Sequence, residues 1–385
     1  MAKLICSKCM EVFLQQQQQC ASCGQAGYDF TNDDAFLRAE AARVAETRTA
    51  AGLDGLVGGL SHIIINVEPD HLKTAVAELL AFTGLHFVAA FEDDNGLTCV
   101  LAAEGSADVL VRCRKGATPF ESVASYPRAK HLPSTRLETF VFEVGDLDAY
   151  VSIQKDRGVQ FLTDRIVAAE RYAFIQTIPS TFTGLSTGFV QWRDQARDHA
   201  SSRAVRLPWT FEKPDRTHLR DIKELDHAAT RLEARDRDPA IIEFMNLTNY
   251  DFDFSVYVKS FNSITNVARL SDRDFAMVFT SGIHSFVDEA SAGPTEKFVH
   301  NYGRRVHHLA FRTENIETTY EALRADGMEF LVELVGSESE GLKQTFSKPS
   351  PHTLLVNEYI HRYGDFDGFF TKSNVTRLTA ATDDQ

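Results

Sequence analysis

Apolar and polar residues alternate in several short stretches of this chain, and a helical pattern follows each of them. Residues 139–146 read Thr-Phe-Val-Phe-Glu-Val-Gly-Asp, and residues 308–315 read His-Leu-Ala-Phe-Arg-Thr-Glu-Asn. Alternation of this kind predicts a half-buried strand. The helical stretch after each strand stops at a glycine, Gly158 or Gly327, as helices commonly do. The pattern therefore predicts two copies of one strand–helix unit.

These two copies belong to a longer internal repeat. The interval from Thr139 to His308 equals the interval from Gly158 to Gly327, and Leu60-Ser-His62 resembles Leu225-Asp-His227. A shared offset across a strand, a helix and a turn indicates duplication. We therefore predict an α+β fold of four βαβββ modules, near residues 58–115, 135–195, 222–283 and 304–362. Linkers are expected near 116–134 and 196–219, where Pro, Ser and charged residues accumulate.

The composition narrows the class of protein. A net charge of −14 argues against a nucleic-acid partner, because phosphate binding needs clustered Lys and Arg. The chain has no apolar run long enough to span a bilayer, so no membrane association is expected. Its first residues, MAKLICSKCMEVF, lack the apolar core of a secretory signal. These features predict a cytoplasmic protein.

Four of the six cysteines lie at the start of the chain. Cys6 and Cys9, and then Cys20 and Cys23, form two Cys-x-x-Cys hooks with the spacing of a zinc ribbon. Four thiolates suit a closed, tetrahedral structural Zn(II) site. A redox dithiol or an unmetallated tail is the alternative. We expect residues 1–30 to form this knuckle and residues 31–54 to form a linker helix. The knuckle would either dock a protein partner or simply cap the start of the chain.

The second half of the repeat carries three ionisable residues on three predicted strands. Strand alternation places His227, His308 and Glu358 each among apolar residues on one face, whereas His307 should point the other way. A buried charge of this kind is costly unless a shared cation compensates it. Two imidazoles and one carboxylate form the facial triad of non-haem Fe(II) oxygenases. Zinc accepts the same ligands, so their identity does not fix the metal.

The first half serves as an internal comparison. His62 persists there, but Thr139 replaces the second His, and Gln191 stands near the expected equivalent of Glu358. We therefore expect a metal site in the second half only. His62 is expected to be structural.

Beyond the triad, the sequence resembles a known family, that of 4-hydroxyphenylpyruvate dioxygenase and hydroxymandelate synthase, in the vicinal oxygen chelate superfamily. The likeness covers roughly residues 58 to 380 and is strongest after 220. The segments that carry it are Leu225-Asp-His227, Phe298-Val-His-Asn-Tyr-Gly-Arg-Arg-Val-His-His308-Leu-Ala, Gln344-Thr-Phe-Ser-Lys-Pro, Asn357-Glu358-Tyr-Ile-His-Arg-Tyr-Gly and Gly368-Phe-Phe-Thr-Lys-Ser-Asn-Val.

The resemblance implies tandem vicinal-oxygen-chelate domains, 55–200 without a metal site and 215–385 with the catalytic site and a C-terminal gating tail. It implies Fe(II) on the triad, O₂ as a co-substrate, and Gln344, Phe346 and Asn374 as catalytic residues that contact the substrate. A homodimer is implied by the family likeness alone. The departures all concern the pocket: the link from His308 to Gln344 is short, Val375 replaces an aromatic residue, and Phe279-Thr280-Ser281 replaces a Pro-x-Asn segment.

The function predicted from these observations is that of an Fe(II) dioxygenase in aromatic amino acid catabolism. Its substrate would be a 2-oxo acid, with 4-hydroxyphenylpyruvate as the first choice. A sister oxygenase that acts on a different acid, as hydroxymandelate synthase does, is an alternative, and an extradiol-type dioxygenase is another. A protein that only binds a metal or small ligand is the non-enzymatic alternative.

Overall fold

The structure is a computed structural model, which describes residues 3–6, 12–14, 27–29, 34–121, 126–290 and 292–383. Three short strands near the start form a small antiparallel sheet in the order β2-β1-β3: β1 Lys3–Cys6, β2 Val12–Leu14 and β3 Gly27–Asp29. The predicted zinc ligands Cys9, Cys20 and Cys23, and the side chain of Cys6, lie outside the described residues. Helix α1, Ala35–Ala51, follows where a linker helix was predicted.

The first half of the chain contains two βαβββ modules, as the repeat predicts. The elements of the first module are β4 Val57–Asn66, α2 Leu72–Phe82, β5 His86–Asp93, β6 Gly96–Ala102 and β7 Asp108–Arg114. Those of the second are β8 Arg136–Val144, α3 Leu147–Asp156, β9 Val167–Ala168, β10 Tyr172–Gln176 and β11 Ser186–Trp192. The segment predicted to be a linker contains a further strand, β12 Val205–Leu207. It pairs with β5 of the first module.

The second half repeats the same order. The third module consists of β13 Ile222–Leu232, α4 Arg237–Leu247, β14 Asp251–Val258, β15 Ser263–Arg269 and β16 Ala276–Gly282. Helix α5, Pro294–Tyr302, then leads into the fourth module, β17 Arg305–Thr313, α6 Ile316–Ala325, β18 Val335–Ser337, β19 Leu342–Phe346 and β20 Val356–Arg362. The chain ends in helix α7, Lys372–Ala381.

Each half forms one mixed sheet in which the two modules meet through their first strands. The strand orders are β12-β5-β6-β7-β4-β8-β11-β10-β9 and β14-β15-β16-β13-β17-β20-β19-β18. Strands β4 and β8 pair antiparallel with Ile64 opposite Thr139, and β13 and β17 pair with Ala229 opposite His308. The two halves therefore share one register, and the predicted duplicated fold is confirmed.

The helices cover these sheets because their apolar residues recur at helical spacing. In α2 the buried residues are Leu72, Ala75, Val76, Leu79 and Leu80, which form one stripe. The glycines predicted to end the helices of the two similar modules both have positive φ, 87° at Gly158 and 93° at Gly327. Among the helices of the described residues, none is long and apolar enough to cross a membrane.

Candidate metal centre

Three neighbouring strands of the second sheet bring His227, His308 and Glu358 together. His227 lies on β13, His308 on the adjacent β17, and Glu358 on β20, which runs parallel to β17. The Nε2 atoms of the two histidines lie 3.2 and 3.1 Å from Oε2 of Glu358. One ligand atom from each residue lies within 4.8 Å of the other two. This is the arrangement that strand alternation predicted.

The three converging atoms are buried and lack good hydrogen bonds. The side chains of His227 and Glu358 are fully buried, and His308 is 6% exposed. Nε2 of each histidine and Oε2 of Glu358 have no hydrogen-bond partner of acceptable geometry. Buried polar atoms left in this state are costly unless a cation joins them. Two imidazole nitrogens and one carboxylate oxygen therefore fit a divalent transition metal held on one face.

A second layer of residues orients each of these three side chains. Oδ1 of Asp226 lies 2.7 Å from Nδ1 of His227, and Nδ1 of His307 lies 2.9 Å from Nδ1 of His308. Nε2 of Gln344 donates to Oε1 of Glu358 at 2.7 Å. Nδ1 of each histidine and Oε1 of Glu358 thus have a partner. The two Nε2 atoms and Oε2 of Glu358 are left to face the centre. Outer contacts of this kind fix the orientation and tautomer of metal ligands.

His307 is the first clear difference from the sequence prediction. It was expected to point away from the site, but it is buried beside His308 and packs edge-on against Phe298 of α5. The cause is a β-bulge: Ala229 pairs with His308, whereas the next residue, Thr230, pairs with Val306. The extra residue in β17 interrupts the alternation on which the prediction rested.

Charge compensation inside the triad shifts the pKa values of its members. Burial alone would lower the pKa of His227, but the negative charge of Glu358 and the contact with Asp226 raise it to about 9. Burial alone would raise the pKa of Glu358, yet the positive charge of His227 lowers it to about 2. Burial lowers the pKa of His308. The carboxylate is therefore ionised and ready to accept a cation.

The residues predicted to contact the substrate lie next to this centre. The Phe346 ring is centred 4.8 Å from that of His308. Gln344 is fully buried, and besides Glu358 its Nε2 donates to the carbonyl oxygen of Phe369 at 2.8 Å. Its Oε1 accepts a hydrogen bond of 3.2 Å from Nδ2 of Asn374, on α7. Gln344 and Asn374 thereby connect the tail helix to Glu358.

The tail also covers the centre with aromatic side chains. The Phe369 and Phe370 rings are centred 5.3 and 6.2 Å from that of His227. Phe369 packs against Ala229, Val267, Ala276 and Val278 on the inner face of the sheet. Val375, where the resemblance implies an aromatic residue, is buried in α7. The centre is therefore enclosed by apolar side chains.

Sequence reasoning missed Arg231, which lies on the same face of β13 as His227 and Ala229. Its side chain is buried, its guanidinium lies 4.8 Å over the Phe298 ring, and its Nη2 donates to Oγ1 of Thr382 at 2.8 Å. Nη1 has no hydrogen-bond partner, and within the described part of the chain no ion pair involves Arg231. The sequence signal for Arg231 is the alternation along β13, which places it on the same face as His227.

The first sheet shows what replaces the triad there. Val141 stands where Ala310 does in the second sheet, and Val141 pairs with Gly188, whereas Ala310 pairs with Glu358. The equivalent of Glu358 is thus Gly188, whereas the repeat predicted a position near Gln191. A Cβ atom on Gly188 would lie 2.9 Å from Val141, 3.1 Å from Thr139 and 3.2 Å from the Phe174 ring. No carboxylate fits at this position.

Comparison with known proteins identifies the fold. A mutant of 4-hydroxymandelate synthase from Streptomyces coelicolor matches with a TM-score of 0.64 and 18% identity, over 85% of this chain and 98% of that one. A fusion of a xylose isomerase-like TIM barrel with 4-hydroxyphenylpyruvate dioxygenase matches with a TM-score of 0.58 and 13% identity, over 90% of this chain and 58% of the fusion. No protein-family model and no curated protein matches the sequence. The chain has the tandem vicinal-oxygen-chelate fold of these two structures.

Proposed function

We propose that this protein is a non-haem Fe(II) dioxygenase that acts on a 2-oxo acid of the 4-hydroxyphenylpyruvate type. The observation that carries the proposal is the convergence of two imidazole nitrogens and one carboxylate oxygen, all buried and without good hydrogen bonds. Such a triad holds the metal from one side and leaves adjacent positions open for a chelating substrate and O₂. Fe(II) held by His227, His308 and Glu358 would supply the activation of O₂.

The acidic character of the substrate is supported by Arg231. A buried guanidinium with no acidic partner is unfavourable, and a carboxylate is the group that compensates it with strong, charge-assisted hydrogen bonds. Arg231 is the next residue on the inner face of β13 after Ala229, the cross-strand partner of His308. Diagonal neighbours of this kind lie about 7–8 Å apart between their Cα atoms. On this proposal, Nη1 of Arg231 would bind an anionic group of a substrate held near His308.

The apolar enclosure would serve the reaction in two ways. Phe346 beside His308 offers an aromatic face against which a substrate ring packs. Phe369 and Phe370, whose rings lie beside that of His227, would limit the access of water to the triad. Gln344 joins Glu358 to the tail at Phe369, so a displacement of the tail would also disturb the orientation of the carboxylate.

The test is O₂ uptake by protein loaded anaerobically with Fe(II), with 2-oxo acids led by 4-hydroxyphenylpyruvate. The His308→Ala variant should lose the bound iron and the uptake, whereas His131→Ala, which removes an exposed histidine, should retain both. Uptake coupled to CO₂ release would support the proposal. The mass of the product would then distinguish homogentisate from hydroxymandelate.

Two results would contradict the proposal. Uptake with catechols but with no 2-oxo acid would indicate an extradiol dioxygenase. Stoichiometric iron binding that depends on His308, without uptake on any of these compounds, would indicate a protein that binds metal without oxygenase activity.

A further inference from the structure

The first half of the chain contains a cavity at the place that corresponds to the metal centre of the second half. Its volume is about 160 Å³, close to that of an apolar cavity that accommodates a benzene ring. It opens on the inner face of the first sheet, between strands of both modules. Its lining combines two arginines with aromatic and aliphatic side chains. His62, the counterpart of His227, lines the cavity. Among the described residues, however, the lining contains no cluster of three potential metal ligands.

Arg112 supplies a cationic group to this cavity. It lies on β7, and its Nε is buried without a hydrogen-bond partner. Among the described residues its guanidinium forms no ion pair. The nearby Glu138 is bound by Arg114 through Oε2, and its Oε1 has no hydrogen-bond partner. Asp93 lies at the same mouth but accepts a hydrogen bond from the backbone N–H of Asn95 and is not paired with Arg112. A guanidinium that lines a cavity is placed to bind an anion that enters it.

Aromatic rings form one wall of the cavity. The ring of His199 lies 4.6 Å from that of His62 and 5.1 Å from that of Trp192, edge-on in both cases. Tyr172 packs edge-on against Trp192 at 5.7 Å. His199 is fixed by Asp108 at 2.9 Å, and Trp192 donates to Oγ of Ser61 at 3.1 Å. These contacts hold the rings in place before any ligand arrives.

Other parts of the lining are apolar, and the volume of the cavity leaves room for one ring. Ile64, Phe91, Leu110 and Val190 line the cavity and belong to one packed cluster. Gly188 and Phe174 occupy the positions of Glu358 and Gln344 of the second half, so the triad cannot be rebuilt there. The cavity therefore offers a cationic group, aromatic edges and an apolar floor, without a metal.

We propose that this cavity is a second, metal-free binding site for a small aromatic carboxylate, whose carboxylate binds Arg112 and whose ring packs beside Trp192. The site is separate from the metal centre and does not depend on the activity proposed above. Ring faces and edges attract one another at centroid separations of about 4.5–7 Å, and a buried carboxylate would complete the hydrogen bonding of the guanidinium.

The chain offers a direct reporter of this site, because it has only two tryptophans. In the Trp209→Phe variant, Trp192 is the sole tryptophan and lies in the wall of the cavity. Titration of this variant with benzoate or phenylacetate should change its emission in a saturable way. Benzamide, which is neutral, should bind at least about tenfold more weakly, since it lacks the negative charge that strengthens the hydrogen bonds to a guanidinium. Benzylamine is a cation, and the acidic residue in the lining of the cavity is Asp93. Benzylamine should therefore not displace benzoate from Arg112.

One substitution of Arg112 and two control substitutions test its role in the Trp209→Phe background. Arg112→Met should weaken benzoate binding about tenfold or more, whereas Arg128→Met, which removes an exposed arginine of the same half, should leave it unchanged. His308→Ala should also leave it unchanged, because the metal centre is not involved. If Arg112→Met fails to fold, the comparison of benzoate with benzamide on the parent variant still decides.

The proposal is overturned by any of three results. No saturable change of Trp192 emission would mean that the cavity holds only water. Equal affinity for benzoate and benzamide, or preference for benzylamine, would exclude Arg112 as the anchor. Loss of the signal in His308→Ala would place the binding event at the metal centre.

Discussion

Oδ1 of Asp226 lies 2.7 Å from Nδ1 of His227, and Arg362 donates hydrogen bonds of 2.5 and 3.0 Å to the two oxygens of the same carboxylate. Asp226 therefore holds the imidazole with Nε2 toward Glu358 and is itself held by a cation. The burial of Asp226 opposes ionisation, but His227 and Arg362 hold its pKa far below its usual range. A carboxylate behind a histidine both orients it and increases its basicity.

The first prediction is that Asp226→Asn weakens metal binding about 10- to 100-fold, the effect typical of outer-layer substitutions. Competition for Fe(II) or Zn(II) with a chromophoric chelator measures it. Asp215→Asn is the matched control, since Asp215 is 92% exposed and pairs with Arg220, which is also exposed. Unchanged affinity in Asp226→Asn would mean that the bond to His227 contributes nothing to metal binding.

The second prediction concerns Arg231. Replacing it with Met should weaken binding of the 2-oxo acid about 10- to 100-fold, because a charge-assisted hydrogen bond to the carboxylate is lost. The free energy of unfolding should not fall together with the affinity, because the substitution removes a buried cation that has no acidic partner. The measurements are the Kd of the acid for protein reconstituted with Fe(II), and the free energy of unfolding.

Arg324→Met, which removes an exposed arginine from α6, is the control. If Arg231→Met bound the acid with the same affinity as the wild-type protein, Arg231 would not be a substrate-binding residue. A large loss of stability in Arg231→Met would instead indicate a structural role through Phe298 and Thr382.

The fold was predictable because repetition adds independent signals. The matched strands, helices and terminal glycines at Gly158 and Gly327 each support the same modules, and alternation alone placed His227, His308 and Glu358 on one face. Alternation failed at His307, because one bulged residue in β17 reverses the direction of the side chain. The comparison of the two halves, in turn, pointed to the neighbourhood of Gln191 rather than to Gly188 as the counterpart of Glu358. The spacing of the last strands differs between the halves, and no sequence signal fixes their register.

The third prediction tests that register through the packing around Gly188. Gly188→Ala should lower the free energy of unfolding by about 1–3 kcal/mol, because the new Cβ meets Val141, Thr139 and Phe174 at 2.9–3.2 Å in a packed interior. Gly145→Ala is the control, since a Cβ there meets no atom within 4 Å. Urea unfolding measures both. A neutral Gly188→Ala would mean that these strands move apart easily.

The fourth prediction is a pH dependence of stability that arises from Glu296. This residue caps α5, where it accepts hydrogen bonds from the backbone N–H of Gly293 and from Asn262, and it is 3% exposed. Burial raises its pKa from 4.5 to about 7, although the two hydrogen bonds oppose the shift. The folded state therefore holds this proton more tightly than the unfolded state does. The contribution of Glu296 to stability is full below about pH 4.5 and is lost as the pH rises toward 7.

Glu296→Gln should remove this dependence, because the amide keeps an oxygen that accepts from Gly293 and Asn262 but does not ionise. Relative to wild type, the variant should gain roughly 1–3 kcal/mol in free energy of unfolding between pH 5 and pH 8. Urea unfolding at both pH values measures the change, and Glu321→Gln, an exposed residue on α6, serves as the control. A difference between variant and wild type that is the same at both pH values would show that Glu296 is already ionised in the folded protein at pH 5.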